Sequence, residues 1–428
     1  MCWRLNIKLN DGTFSHVIMN NNDQKVKEIV LRDVEPVLQQ KLGKCVIVKN
    51  FTTEPLLPPG ENYGSTILKV DVELKNRNTG KKEDLRLIAK MLPPTEFQRL
   101  IFNSSQTFTK EIFMYETIVP AYNKLELESG IKESEISHIL PYFYGSRLSL
   151  QPDGDIDDDA VFLMENLKSK GYYNGNRIEG YDLEHSEMAI KSLARFHALG
   201  MAMKLKKPEI FEVFKMHSKN WEVEGNSEDF FAVILKKIKD DPEMNPYYDK
   251  CYKRLNAAAV MDFWTDTPCE PWMTIIHSDL WVNNIMFHRN EKGQVEDVKF
   301  VDFQIYVYSS CVRDLLFYLF SSVKTNVTDE QLDILMDLYY DALVDKLNIM
   351  GCDTSSFNKE GFREKIAEDA SREFLHLCFM IKILTLDIKE SNFSYDNMQN
   401  VMVNYEGNQI FVERLRKIVL YFCKHNWI

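Results

Sequence analysis

Two aspartates, each preceded by a short apolar run, constrain this chain more than any other sequence feature. Asp279 lies in the segment HSDLWVNN, directly after an apolar run that ends at Ile276, and Asp302 ends the run KFVD, 23 positions later. We predict that two strands deliver both carboxylates to one edge, where one of them can accept a proton. The other, together with the amide oxygen of Asn284, can hold a divalent cation. Phosphoryl transfer needs this division, because a hydroxyl must lose its proton while phosphate charge is neutralised.

A single aspartate in such a position more often caps a turn than takes part in chemistry. The combined pattern is more specific, because H-x-D-x4-N is followed by an apolar run and D-F-Q in the same chain. His277 precedes Asp279 by two positions, and an extended chain would turn both side chains to the same side. We interpret His277 as a hydrogen-bonded scaffold residue, with a second base as the alternative, since one base is sufficient.

Charge and cysteine content exclude several functional classes. The 428 residues carry 52 Lys+Arg against 64 Asp+Glu, a formal net charge of −12. This acidic balance argues against nucleic-acid binding and against electrostatic binding to an anionic membrane. We expect no membrane span, because no apolar run reaches the required length of about 18 residues. The eight cysteines contain no C-x-x-C pair and residues 1–20 contain no signal-peptide run, so we expect a cytoplasmic protein with reduced thiols.

The pattern of apolar residues changes along the chain from alternating to helical. Residues 45–92 contain short runs typical of an antiparallel sheet, whereas the chain after about residue 172 has mostly helical spacing. We also predict a helix over 24–43, which Pro36 would kink or end early.

These patterns predict an α+β fold with two lobes. A small β-rich N-terminal lobe is expected at 1–164, a hinge at 165–172, and a larger α-rich C-terminal lobe at 173–428.

The two acidic motifs resemble those of protein-kinase-like small-molecule phosphotransferases, and most closely the ecdysteroid kinase-like family, relatives of aminoglycoside and choline kinases. Further stretches in family order support the resemblance: GENYGS at 60–65, LIAK at 87–90, FTKEIFMY at 108–115, LMENL at 163–167 and LARFHA at 193–198. Each stretch is weak alone, but the ordered set is specific. The resemblance implies a protein-kinase-like fold with an ATP-binding N-terminal lobe and a catalytic, substrate-binding C-terminal lobe.

The resemblance also implies roles for the matching residues of the catalytic centre. Asp279 is the expected base toward a substrate hydroxyl, and Asn284 acts beside it. Asn284 and Asp302 are the expected Mg²⁺ ligands. Lys90 is expected to reach the ATP phosphates, with Glu111 holding that lysine in place.

Two backbone segments complete the nucleotide site that the resemblance implies. The loop residues Gly60, Gly64 and Ser65 are expected to lie over the phosphates. The hinge residues Glu165, Asn166 and Leu167 are expected to meet the adenine edge with backbone groups.

Several of these roles stay open when the residues are considered alone. A lysine at a strand end is more often a surface charge, and the two-glycine loop and residues 165–167 are typical of a plain turn and a strand end. Glu111 and Glu116 flank opposite sides of one apolar helix face about equally, so only the resemblance selects Glu111. Trp281, Tyr306 and Tyr308 are interpreted as core aromatics, with ligand contact as the alternative. Arg313 and Asp314 are expected to cap and orient local structure.

The motifs also depart from the protein-kinase pattern. Ser278 stands where many protein kinases carry Arg, so a phosphorylated activation loop has no obvious partner. Gln304 replaces the glycine that usually follows Asp-Phe. The segment between the two acids is short and turns at 290–293 as a hairpin. We therefore disfavour a protein substrate.

The sequence predicts an ATP- and Mg²⁺-dependent phosphotransferase acting on a hydroxyl of a small molecule. The resemblance suggests an ecdysteroid or another lipophilic alcohol as that partner, and the oligomeric state is not indicated. One alternative is a kinase-like binding protein that has lost catalysis. The other is a metal-dependent phosphohydrolase that uses His277, Asp279 and Asp302, which would be active without ATP and would not need Lys90.

Overall fold

A computed structural model describes residues 6–8, 14–16, 28–56, 64–136, 138–152, 154–219, 223–224, 228–256, 269–386 and 405–428. Within these residues the strands are β1 (Asn6–Lys8), β2 (Phe14–His16), β3 (Val46–Pro55), β4 (Thr66–Asn76), β5 (Lys82–Met91), β6 (Phe143–Arg147), β7 (Val161–Glu165), β8 (Val223–Glu224), β9 (Met273–Ile276), β10 (Ile285–Arg289), β11 (Val295–Phe300) and β12 (Val307–Ser310). The α-helices are α1 (Glu35–Leu42), α2 (Glu96–Ile101), α3 (Ser104–Phe113), α4 (Val119–Glu128), α5 (Leu183–Lys206), α6 (Pro208–His217), α7 (Glu228–Asp240), α8 (Tyr248–Asn256), α9 (Cys311–Ser322), α10 (Asp329–Ile349), α11 (Lys359–Thr385) and α12 (Gln409–Lys424).

The N-terminal region is built on a five-stranded antiparallel sheet with the strand order β3-β4-β5-β7-β6. Strand β4 shows why it forms, because its apolar residues Leu68, Val70, Val72 and Leu74 are buried while the residues between them are exposed. This period of two gives the sheet one core face. Helix α1 packs against that face with Val37 and Leu38.

Helix α1 is shorter than the helix predicted over 24–43. Residues 28–34 are not helical, the helix begins at Glu35, and residues 24–27 lie outside the described part. Pro36 lies in the first turn, where its missing N–H is not needed by the helix. The proline therefore starts the helix, which corrects the expectation that it would kink or end it.

Helices α3 and α4 are joined by a π-helical turn at Met114–Ile118. Pro120 lies in the first turn of α4. A proline cannot donate the backbone hydrogen bond that a regular α-helix would require there, and single π turns accommodate such interruptions. This turn rotates the residues that follow it relative to those of α3.

The C-terminal region is dominated by helices around the long, buried helix α5. Helix α5 packs against α10 on one side and against β9 and β11 on the other. Strand β9 pairs with β12, and β10 pairs with β11 through the hairpin predicted at 290–293. The predicted α+β fold class is confirmed, with a β-rich N-terminal region and an α-rich C-terminal region.

Among the described residues, the structure contains no helix long and apolar enough to cross a membrane.

Candidate active site

Lys90 lies between two acids at the centre of the candidate site. Its Nζ is 2.5 Å from Glu111 Oε2 and 2.6 Å from Asp302 Oδ1. Lys90 is only 3% exposed and Glu111 only 1% exposed, whereas Asp302 keeps part of its side chain in solvent. The contact joins β5, α3 and the segment after β11, three elements that are distant in sequence. Lys90 is thus a buried ion-pair partner and not a surface charge.

The structure also separates the two glutamates that periodicity could not distinguish. Glu111, on the buried side of α3, contacts Lys90. Glu116 lies in the π turn and accepts a hydrogen bond from Ser146 Oγ at 2.8 Å on the exposed side. Glu111 is therefore the one in contact with the lysine.

The charges of this cluster depend on one another. Burial alone would lower the pKa of Lys90, but Asp302 and Glu111 outweigh it and hold that pKa above its ordinary value. Burial raises the pKa of Glu111, and the ammonium of Lys90 opposes the shift. The lysine is therefore charged throughout the physiological pH range.

Asp279 and Asn284 are held together at the end of β9. Asn284 Nδ2 donates to Asp279 Oδ2 at 2.9 Å and to the Asp279 carbonyl at 2.8 Å. Val301 N–H donates to the Asn284 carbonyl at 3.0 Å, next to the β10–β11 pairing of Ile285 with Phe300. This pairing brings Asn284 beside Asp302, so the hairpin between the two motifs causes their convergence.

The backbone is strained at both acidic segments. Ser278 has φ 70° and Asp302 has φ 68°, left-handed conformations that non-glycine residues seldom adopt. Because of Ser278, the chain is not extended from His277 to Asp279, which corrects the expectation that these side chains share one side. Strain of this kind is frequent at functional sites.

His277 is fully engaged as a scaffold. Its Nδ1 accepts from Asp279 N–H at 3.3 Å, and its Nε2 lies 3.0 Å from the Val301 carbonyl, to which it must donate. Burial lowers the pKa of His277, so the neutral ring persists. With both nitrogens occupied, the ring has no lone pair left to act as a second base or a metal ligand.

Asp314, on α9, anchors the backbone at His277 and Ser278. Its carboxylate accepts from His277 N–H at 2.6 Å and from Ser278 N–H at 2.8 Å, and His197 Nε2 lies 3.1 Å away. His197 is fixed in turn by Tyr339 OH, 2.6 Å from its Nδ1. The sequence suggested only a local role for Asp314 and none for His197, since contacts over 36 or more positions leave no local signal.

Asp279 occupies an electrostatically unfavourable position for a carboxylate. Burial and the nearby charge of Asp302 raise its pKa well above the ordinary value. Hydrogen bonds from Asn284 and Trp281 oppose this shift. A carboxylate with a raised pKa is a stronger base than an exposed one, as proton abstraction from a hydroxyl requires.

The residues present fit a hard divalent cation. Asn284 uses its amide nitrogen on Asp279, so its amide oxygen is the atom that it can offer to a metal. Asp302 follows Val301, whose N–H bonds the Asn284 carbonyl, and keeps a partly exposed carboxylate. One carboxylate and one amide oxygen, with water and phosphate oxygens, form a ligand set that Mg²⁺ prefers.

The glycine loop is described only at its end. Gly60 lies outside the described residues, whereas Gly64 and Ser65 precede β4. A Cβ added at Gly64 would lie 3.4 Å from Gln304 Oε1 and 3.5 Å from the Phe102 ring. The end of the loop therefore lies against Gln304, two residues after Asp302.

The predicted hinge segment follows β7, and two of its three amides already have partners. Glu165 N–H donates to the Tyr142 carbonyl and Asn166 N–H to the Arg86 carbonyl, at 2.9 and 3.1 Å. The Asn166 side chain caps the short 3-10 turn that starts at Leu167. Since the first amides of a helical turn have no partner within it, Leu167 N–H is the donor that this segment can offer to a ligand.

The three aromatics near the site differ in their surroundings. Tyr306 is fully buried, as expected for a core residue. Trp281 is also buried, but its side chain hydrogen-bonds Asp279 and so belongs to the site. Tyr308 is half-buried and donates to Glu270 Oε1 at 2.8 Å, away from the two aspartates.

Comparison with solved structures finds similar proteins at low identity. An amicoumacin kinase, solved with AMP-PNP and Ca²⁺, is 12% identical, with 85% of this chain and 87% of that chain covered and a TM-score of 0.39. A spectinomycin phosphotransferase, solved with ADP and spectinomycin, is 10% identical, with coverages of 91% and 98% and a TM-score of 0.40. A choline/ethanolamine kinase family protein from Mesorhizobium loti is 11% identical, with coverages of 90% and 97% and a TM-score of 0.32.

No curated protein matches this sequence. The sequence profile of the ecdysteroid kinase-like family, in contrast, matches residues 59–352, more than half of the chain. This span includes Lys90, Glu111, Asp279, Asn284 and Asp302, the residues that the structure brings together. The chain therefore belongs to the ecdysteroid kinase-like family.

Proposed function

We propose that this protein is an ATP- and Mg²⁺-dependent phosphotransferase that phosphorylates a hydroxyl of a small molecule. Family membership supports a small-molecule phosphotransferase in general. The observation that carries the nucleotide part is the buried Lys90, held between Glu111 and Asp302 at 2.5 and 2.6 Å. Burying the Lys90–Glu111 ion pair carries a desolvation cost, which supports a role for the pair other than stability.

We further propose that the chain is divided at the hinge. Residues 1–164 would bind ATP, residues 165–172 would join the lobes, and residues 173–428 would carry the catalytic segment and the acceptor site. The backbone of 165–167 would meet adenine, chiefly through Leu167 N–H. Gly60, Gly64 and Ser65 would lie over the phosphates, where small residues let backbone amides approach.

The polyphosphate would lie between Lys90 and the two metal-ligand candidates. Lys90 would bind phosphate oxygens while Glu111 fixes its ammonium from behind. Asn284 and Asp302 would hold Mg²⁺, which when bound neutralises phosphate charge. Asp302 would then share its charge between Lys90 and the metal.

Asp279 would act on the acceptor. Its carboxylate accepts hydrogen bonds from Asn284 and Trp281, and a remaining lone pair would accept the hydrogen bond and then the proton of the substrate hydroxyl. The hydroxyl oxygen attacks the terminal phosphorus, and ADP leaves. Because a general base contributes about 10²–10⁴-fold to rate, this proton transfer is a large part of the catalysis.

The acceptor proposed here is a lipophilic alcohol, with ecdysteroids as the example that the family name gives. The phosphohydrolase alternative has less support, because both ring nitrogens of His277 are occupied and Lys90 lies inside the site. The other alternative, a kinase-like binding protein without catalysis, is tested by measuring phosphoryl transfer to an acceptor.

The test is phosphoryl transfer from terminally labelled ATP to an extract of small molecules and to a panel of steroid alcohols. We expect a labelled product with the wild-type protein and Mg²⁺, and none with Asp279→Asn. The variant should still bind ATP, because Asp279 is not a proposed nucleotide ligand.

A surface control is Asp337→Asn, since Asp337 on α10 is 37% exposed and pairs with Lys359 and Arg363. This control should transfer phosphate like the wild type. Equal transfer by wild type and Asp279→Asn would refute the base assignment, and wild-type binding of ATP with no transfer to any acceptor would favour the binding-protein alternative.

A further inference from the structure

Helix α3, which carries Glu111, is also fixed to the C-terminal region through neighbouring side chains. Lys110 Nζ donates to the Lys219 carbonyl at 3.2 Å, and Gln106 Nε2 donates to the same carbonyl at 2.8 Å. Lys219 follows α6 by two positions. The Lys219 carbonyl therefore accepts hydrogen bonds from two side chains on successive turns of α3.

A ring contact strengthens the same junction. The rings of Phe113, the last residue of α3, and His217, the last residue of α6, stack with centroids 3.9 Å apart and an angle of 4° between their planes. The two helices are thus joined at both polar and aromatic positions.

Lys110 also reaches the segment that carries Asp302. Its ammonium lies 4.9 Å from the ring centroid of Tyr306, within the range of a cation–π interaction. Tyr306 is fully buried and follows Asp302 by four positions. Lys110 is itself only 4% exposed and directly precedes Glu111.

We infer that Lys110 is a positioning residue that sets the distance between Glu111 and Asp302, and so holds Lys90 in place before any nucleotide binds. The inference rests on the proposed function, in which Lys90 binds phosphate. Lys110 lies on α3 beside Glu111, and it contacts Lys219 after α6 and Tyr306 after Asp302. It therefore ties the helix that carries Glu111 to the segment that carries Asp302, the two acids that contact Lys90.

Burial makes the charged form of Lys110 unfavourable. Burial lowers the pKa of Lys110 to about 7, so the charged form is less favourable in the folded chain than in the unfolded chain. This cost is greatest below that pKa and disappears above the ordinary lysine value. We therefore expect Lys110→Met to keep or raise the melting temperature at pH 6.5, which separates positioning from folding.

The test is a double-mutant cycle on Lys110 and Glu111, measured as the dissociation constant for Mg-ATP. If Lys110 acts through Glu111, Lys110→Met alone should weaken binding by about 5- to 30-fold. The double variant Lys110→Met/Glu111→Gln should then bind no more than about twofold more weakly than Glu111→Gln alone. Lys124→Met on α4, whose side chain is 73% exposed, is the matched control and should bind like the wild type.

Two variants of Tyr306 test the ring contact. Tyr306→Phe keeps the ring and should bind Mg-ATP like the wild type, whereas Tyr306→Leu should resemble Lys110→Met. If the wild type binds Mg-ATP and the double variant weakens binding by the product of the two single effects, Lys110 does not act through Glu111. That result would overturn this inference and leave the proposed function standing. A wild-type protein that does not bind Mg-ATP would overturn the proposed function and this inference with it.

Discussion

Asp279, the proposed base, occupies a position that carries an energetic cost. Burial and Asp302 raise its pKa, so the folded chain holds its proton more tightly than the unfolded chain does. Below the unfolded-state pKa both forms are protonated and there is no cost. Above the folded-state pKa the full cost is present. The cost therefore grows as the pH rises above the unfolded-state pKa.

Asp279→Asn should consequently stabilise the protein while abolishing transfer. We expect about 0.5–2 kcal/mol of added stability at pH 7.5, a range common for substitutions that relieve functional strain. The gain should disappear near pH 3.5. Thermal unfolding at both pH values measures it, and a variant less stable than the wild type at pH 7.5 would contradict the electrostatic account.

Asp314 acts on the same segment through hydrogen bonds. Asp314→Asn retains only one carboxamide oxygen to accept from His277 N–H and Ser278 N–H, so one buried amide loses its partner. A lost buried hydrogen bond costs about 1–3 kcal/mol. We expect kcat to fall by about 5- to 150-fold with little change in the KM for ATP. Steady-state kinetics measure kcat and the KM for ATP separately. An unchanged kcat would show that the hydrogen bonds from His277 and Ser278 to Asp314 are not needed for turnover.

At the scale of elements, α5 approaches β9 through a glycine. A Cβ added at Gly200 would lie 2.2 Å from Thr274 Oγ1 and 2.9 Å from Tyr122 OH. A glycine inside a helix costs about 1 kcal/mol relative to alanine. Here the close approach of the helix to the strand that leads to Asp279 requires it.

Gly200→Ala should therefore destabilise the fold despite its better helix propensity. We expect a loss of about 1–3 kcal/mol, typical of overpacking in a core, seen as a lower midpoint in urea. Thr274→Ala removes the closest atom, so Thr274→Ala/Gly200→Ala should lose less than the sum of the two single changes. If the two losses of stability simply add, the clash between the new Cβ at position 200 and Thr274 is not the cause of the destabilisation.

The α3–α4 junction shows why element patterns alone could not choose the lysine's partner. The periodicity placed Glu111 and Glu116 on equivalent flanks, but the π turn at Met114–Ile118 changes the rotation between them. The prediction assumed a regular α-helix from Phe108 to Val119, but the segment contains a π turn.

The start of α1 could not be predicted from the apolar pattern. The apolar residues before and after Pro36 have the same helical spacing, so the pattern did not show on which side of the proline the helix lies. The structure places the helix after it, with Val37 and Leu38 buried.

At the scale of the whole molecule, the sequence patterns predicted the α+β class. The apolar runs before Asp279 and Asp302 correctly indicated two strands, β9 and β11. The choice of Lys90 and Glu111, in contrast, came from the family resemblance. Asp314 could not be assigned because its contacts with His277 and Ser278 depend on the packing of α9 against β9. Lys110 gave no local signal either, since its burial arises only when α3 meets α6 and the segment after Asp302.

The roles proposed for the site depend most on whether Asp302 and Lys90 together bind a metal-bound polyphosphate. Equilibrium binding of ATP, with and without Mg²⁺, to the wild type and to Asp302→Asn tests it most directly. We predict that Mg²⁺ strengthens ATP binding to the wild type and that Asp302→Asn loses this dependence on Mg²⁺. The same strengthening by Mg²⁺ in the variant would contradict the claim.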